Sequence, residues 1–581
     1  MQLTLPTFQW LQSKTGETLE GDALFDKEVN VRYGTLFLRL LKEEFGTTQE
    51  ILAAYHAGRG QVNRWLKDPG VSQDGNARQH PYPRNRPLCQ KGNERHAPLP
   101  ESLSYRRNHI MSNLGKEKSK AEQLQEELFL KPKHAMRGGL ADAEIERADQ
   151  FCEDYKVFLN SAKTEREAAG FFCRKAEALG FTPFNPQKKY HAGDKVYRLN
   201  REKAIILAVI GEKSVGEGVR IAAAHIDSPR LDLKPNPLYE DFEMALFKTH
   251  YYGGIKKYQW TAIPLSLHGV IIRRDGSKIN VSIGEQPDEP KFVVTDLLPH
   301  LAQEQMKRTL ADGVRGEELN ILIGSRPFRS DEGSELVKLN IMKLLHEKYG
   351  IVESDFLSAE LELVPAFPVC DIGFDRSMIG GYGHDDRVCA YPAAMAAFAC
   401  EKPEYTAITV LTDKEETGSD GNTGLNSSYL KYFIADLARM EGLEARDVLS
   451  RSRCLSADVN AAFDPTFPDV IEKKNAAYLN RGVVVTKYTA PAANRARRTP
   501  ARNSWAKCAG FLTKNKSAGK PGSSAGRSRR RRNGCMYVAN LDVDVVDVGV
   551  PVLSMHAPFE VVSKIDVYMA FRAFKAFFGL E

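Results

Sequence analysis

No stretch of this chain stays apolar for the ~20 residues that a membrane-crossing helix requires. Its opening residues (MQLTLPTFQW) lack a basic region leading into an apolar stretch and a small-residue cleavage site. Neither a bilayer span nor a secretory leader is expected. The nine cysteines are scattered and form no C-x-x-C pair, which argues against a disulfide framework and for reduced thiols in the cytoplasm. Internal repeats are absent. Acid is missing from one place: between Ala490 and Cys535 there are 13 Lys and Arg and no Asp or Glu. The overall charge of +6 is therefore misleading, because without those 13 residues the remainder stands at −7.

What is present suits a soluble globular protein of several units, since 581 residues exceed one ordinary domain. Residues 34–44 and 48–56 space their apolar residues helically. Residues 71–110 hold Arg, Asn, Gln and His without period, with Pro81, Pro83, Pro87, Pro98 and Pro100, and read as an irregular junction. A Lys/Glu-rich helix follows Met111, then a longer helical stretch around 141–180. Residues 204–226 carry two apolar runs that predict buried strands. Alternation in 269–274 (GVIIRR) and 279–283 (INVSI) points to a β-rich insert over 236–365. Strands and helices then alternate to the end, an α/β pattern. The aromatic face of 564–579 predicts a core helix.

One pair stands out. Glu415 and Glu416 lie side by side just after the apolar run Ala407–Leu411. Two neighbouring carboxylates repel, and a bound cation is the usual remedy; a solvated helix face is the plainer reading. Four other short motifs also end or flank buried-looking strands: Ala-His225-Ile-Asp227-Ser, His384-Asp385-Asp386-Arg387, Ser456-Ala-Asp458-Val and Ser554-Met-His556-Ala-Pro. An α/β sheet gathers ligands beyond its strand ends. Two imidazoles with several carboxylates make a mixed nitrogen and oxygen set suited to zinc, or to cobalt or manganese. His225-x-Asp227 fits a ligand whose ring is oriented by a carboxylate.

These motifs, with His250-Tyr-Tyr-Gly-Gly-Ile-Lys-Lys-Tyr-Gln-Trp260 and Thr295-Asp-Leu-Leu-Pro-His300, closely resemble the M18 (aspartyl aminopeptidase) family of dinuclear zinc exopeptidases. The resemblance covers much of 111–581. It implies a zinc-exopeptidase-type α/β catalytic domain over 111–235 and 366–581, with 236–365 inserted as a dimerisation domain. It also implies hydrolysis of N-terminal residues from peptides through a metal-activated water. Carried over, it makes Asp386 the bridge between two Zn2+ per subunit, with His225, Asp458, Glu416 and His556 as the other ligands. Glu415 becomes the general base, Asp227 the partner of His225, and His300 a residue reaching into a partner's site. The family forms dimers that assemble into dodecamers.

Two regions depart from that pattern. Arg529–Arg532 invites a nucleic-acid reading, because a basic stretch can track phosphates. Back-translation favours another account: shifted by one base, Ala490–Ala509 reads as a Gly-, Ser- and Asp-containing segment such as the family carries there. In the other shifted frame Arg529–Cys535 becomes a Gly-rich loop. Residues 490–535 are therefore expected to be frameshifted and disordered, with no nucleic-acid partner and with doubtful activity for the chain as written. Residues 1–70 resemble the C-terminal end of soluble lytic transglycosylases, through Met1–Thr7, Asp26–Gly34, Ala53–Gly58 and Asn63–Trp65. The catalytic Glu of that family lies upstream and is absent, and His56 replaces its usual Asn. Shifted in frame, His80–Asn93 also reads like that family's tail. Residues 1–110 are thus expected to be a short helical remnant of a neighbouring gene with a frameshifted junction over 71–110, and Met111 the natural start of the peptidase.

Overall fold

The structure, a computed structural model, describes residues 3, 5–45, some positions between 50 and 77, and 119–129, 134–329, 332–488, 518–523 and 535–580. Met111, most of the 71–110 junction and most of the 490–535 segment lie outside the described residues, as does His56. The chain divides into two units, Met1–Leu130 and Lys131–Glu581.

In the first unit, helices Leu5–Thr15 and Lys27–Glu44 pack Phe8, Leu11, Tyr33, Phe37 and Leu41 together. The second helix starts at Lys27 because Asp26 accepts from the N–H groups of Glu28 and Val29. The Lys/Glu-rich helix spans Lys120–Leu128 and opens on a capping box between Ser119 and Glu122.

In the second unit the helical stretch expected around 141–180 is two helices, Asp142–Ser161 and Glu165–Ala178. Thr164 breaks it by capping the second helix in a reciprocal box with Glu167. Both helices, with His384–Phe398 and Lys564–Phe577, cover one face of a nine-stranded sheet, and Tyr429–Met440 covers the other. Four neighbouring strands at its centre run parallel: Asp544–Gly549, Arg453–Ala457, Arg220–His225 and Ala407–Thr412. Ala407–Thr412 is buried throughout, as a parallel strand covered on both faces must be. Because these strands are parallel, their carboxyl ends open at one edge of the sheet. The segments carrying His225, Asp458 and Glu415–Glu416 all leave from that edge.

The insert forms its own seven-stranded sheet, built from antiparallel pairs, over a core that includes Trp260, Phe247 and Leu363. Its first strand begins at Arg230, six residues before the expected boundary at 236. The Pro235-Asn-Pro237 run lies within this strand and is absorbed by a register shift between Leu233 and Leu238. A third sheet, of five strands, includes Pro551–Leu553 and Glu560–Ser563, which flank the turn bearing His556.

Candidate metal centre

Glu415 and Glu416 do not lie on a solvated helix face. They open a single 3-10 turn, Glu415–Thr417, set between left-handed residues Lys414 and Gly418. The backbone N–H groups of both glutamates donate to the carboxylate of Asp227, at 3.2 and 3.1 Å. Asp227 is fully buried and also accepts from the Tyr252 hydroxyl at 2.7 Å. Burial opposes its charge, but hydrogen bonding to His225 outweighs this and holds the carboxyl below its ordinary range.

His225 ends its strand with the ring locked. Nδ1 lies 3.0 Å from the Asp227 carbonyl and 3.2 Å from its carboxylate. With Nδ1 donating, Nε2 is the nitrogen that could take a metal. It lies 3.3 Å from Asp385, 3.8 Å from Glu415 and 3.9 Å from Asp458. His556 is arranged in the same way: Nδ1 meets the Gly254 carbonyl at 2.8 Å. Its Nε2 lies 3.1 Å from Asp385 and 3.5 Å from Glu416.

Asp385 thus turns one oxygen to each imidazole. Two donor sets share it: His225, Asp385 and Asp458, and Asp385, Glu416 and His556. His225 with Glu415 and Glu416 forms a third grouping. The expectation for Asp386 changes here. Its carboxylate accepts from the backbone N–H of His225 at 3.3 Å, and among the described residues no metal-binding group includes it. At ψ 111° Asp385 has not yet entered the helix that follows, so the two neighbouring carboxylates diverge. His300 stands apart, exposed on a turn of the insert; among the described residues no metal-binding group includes it.

The electrostatics favour a cation. Burial, reinforced by Asp458 and Asp385, pushes the Asp386 carboxyl well above the usual carboxylate range. Burial opposes a charge on His225, yet the carboxylates of Asp227, Asp385 and Asp458 around its ring carry its pKa well above normal. So much buried negative charge draws protons unless a metal replaces them. The donor chemistry fits: Nε2 of His225 and Oδ1 of Asp458 are buried, face each other, and have no hydrogen-bond partner. Among the described residues, no helix is long and apolar enough to cross a membrane.

Four contributors escaped the sequence reading as functional residues. Asp385 stood inside a motif already singled out, one position from the residue chosen. Tyr252 and Gly254 lay in the His250–Trp260 stretch, without a signal for what they touch. Glu560 accepts from the N–H groups of His556 at 2.7 Å and Asp385 at 3.0 Å. Burial and the nearby Asp385 raise its pKa to about 8; only its spacing of four residues from His556 hinted at this.

A family profile described as aminopeptidase I zinc metalloprotease (M18) matches residues 158–578, and one for the transglycosylase SLT domain matches 1–77. The probable M18 family aminopeptidase 1 of Clostridium acetobutylicum is 43% identical over 446 residues, 75% of this chain and 96% of that protein. The crystal structure of aminopeptidase I from the same species superposes with a TM-score of 0.73 at 40% identity, covering 78% of this chain and 99% of the other. The corresponding Thermotoga maritima structure gives 0.72 at 37% identity, with 78% and 99% covered. The S. cerevisiae mApe1 dodecamer shares the fold at 18% identity, with a TM-score of 0.61 and coverage of 75% and 97%. By sequence and by fold, the chain belongs to the M18 aminopeptidase family of zinc metalloproteases.

Proposed function

We propose that Asp385, Glu416 and His556 hold one zinc ion, that Asp385, His225 and Asp458 hold a second, and that Glu415 is the general base. The chain would then remove N-terminal residues from peptides in the cytoplasm. The observation that carries this reading is Asp385, with one oxygen 3.3 Å from His225 and the other 3.1 Å from His556. Cobalt or manganese suits the same donors. When bound, paired cations polarise the scissile carbonyl and make water acidic enough to lose a proton near neutral pH.

The chain's own groups do the rest. Asp227 fixes the turn that carries Glu415 and Glu416, so the two carboxylates are held rather than flexible. Glu415 takes the proton of the attacking water at its carboxylate and returns it to the departing amine. Glu416 stays on metal. Hydrolysis of aminoacyl-nitroanilides with zinc or cobalt tests the activity; Glu415→Gln should abolish turnover while metal stays bound. Turnover by Glu415→Gln at the wild-type rate would overturn the assignment.

His300 is proposed to act on a second copy's site, in line with dimers that build larger homo-oligomers; the related mApe1 was solved as a dodecamer. Mixing inactive Glu415→Gln and His300→Ala chains should then restore activity, because mixed dimers contain one intact site. No recovery after confirmed mixing would count against action in trans.

A further inference from the structure

The insert reaches the metal centre at one turn. Strand Met244–Tyr252 of its sheet ends on Tyr252, whose hydroxyl donates to the Asp227 carboxylate at 2.7 Å. That carboxylate also holds the backbone of Glu415 and Glu416 and faces Nδ1 of His225. The ring of Tyr252 is itself fixed: the Arg230 guanidinium lies 4.0 Å from its centroid, and Arg230 pairs with Glu362 at 3.1 Å. Gly253 follows at φ 78°, so close to the site that an added Cβ would lie 3.2 Å from Glu416 Oε2. The Gly254 carbonyl accepts from His556 Nδ1, and a Cβ on Gly254 would lie 3.2 Å from that nitrogen.

We propose that Tyr252-Gly253-Gly254 is a positioning element for both metal triads, so that metal retention depends on the insert as well as on the catalytic sheet. Tyr252 acts through Asp227 on the first imidazole and on the glutamate turn. Gly254 sets the tautomer of the second imidazole. None of the three residues ligates metal. The inference rests on the assignment of the two triads as metal sites.

The test titrates metal-free full-length protein with zinc alone, in competition with a chromogenic chelator, and records the thermal unfolding of each metal-free variant. Wild type should bind two zinc ions. Tyr252→Phe should bind zinc about 10- to 100-fold more weakly, the usual effect of losing a partner behind the ligands. Gly254→Ala should show a comparable loss. Tyr251→Phe, one residue away on a partly exposed side chain, should match wild type. Unchanged zinc affinity in both Tyr252→Phe and Gly254→Ala would overturn the proposal, and so would a lowered melting temperature with unchanged affinity. If Tyr252→Phe fails to fold, Gly254→Ala decides. Failure of wild type itself to bind zinc would instead overturn the triads, and this inference with them.

Discussion

Asp385 and Asp386 are chemically identical neighbours with opposite assignments. Asp385 lies between Nε2 of His225 and Nε2 of His556, whereas Asp386 supports the backbone of His225. Asp385→Asn should therefore lose both metals, read as bound zinc per chain falling well below two. Asp386→Asn should keep both with affinity reduced about 10- to 100-fold, the range for a supporting partner. Glu415→Gln should lower kcat by roughly 10²- to 10⁴-fold, the usual contribution of a positioned acid or base, at unchanged metal content. His225, Glu416, Asp458 and His556 were singled out because they follow strand ends, and the structure brings them together. A sequence cannot tell which of two adjacent aspartates faces the crevice, because both leave the helical backbone there.

Among the elements, the positions of strands and helices were the most legible feature. Buried runs at 204–209 and 220–225, the alternating hairpin 265–283 and the C-terminal core helix follow from period alone. Contacts between elements did not show. His268, in insert strand Leu265–Ile272, is buried between Glu167, at 2.7 Å on helix Glu165–Ala178, and Glu285, at 2.9 Å. Lys163 in turn pairs with Glu285 at 2.9 Å. Burial opposes the charge on His268, but the two glutamates raise its pKa to about 9. A histidine whose folded pKa is raised contributes stability that is full below its ordinary value near 6.5 and is lost as pH rises through 9. Relative to His268→Gln, wild type should lose roughly 3 kcal/mol of unfolding free energy across that window; denaturant unfolding at pH 6 and 9.5 checks it. At the sheet's edge Gly549 leaves no room for a side chain, since an added Cβ would meet the Asp458 carbonyl oxygen at 1.9 Å. Gly549→Ala should cost about 1–3 kcal/mol and displace Asp458, which paired denaturation and zinc-binding measurements would register.

For the whole molecule, the match over 158–578 and the match over 1–77 belong to two unrelated families in one chain. The expectation that 1–110 belongs to a neighbouring gene, and that 490–535 is read in the wrong frame, concerns the encoding DNA and rests on the sequence alone. Sequencing across codons 70–115 and 485–540 should reveal the shifts, and restoring the frame should raise aminopeptidase activity above that of the chain as written. An uninterrupted frame with equal activity would refute both. The central claim is that two cations share Asp385, and the most direct measurement is an anomalous difference map at the zinc edge from crystals of the zinc-loaded protein. Two peaks about 3.5–4 Å apart should flank Asp385, one beside Glu416 and His556, the other beside His225 and Asp458. A single peak, or a pair bridged by Asp386, would contradict the account.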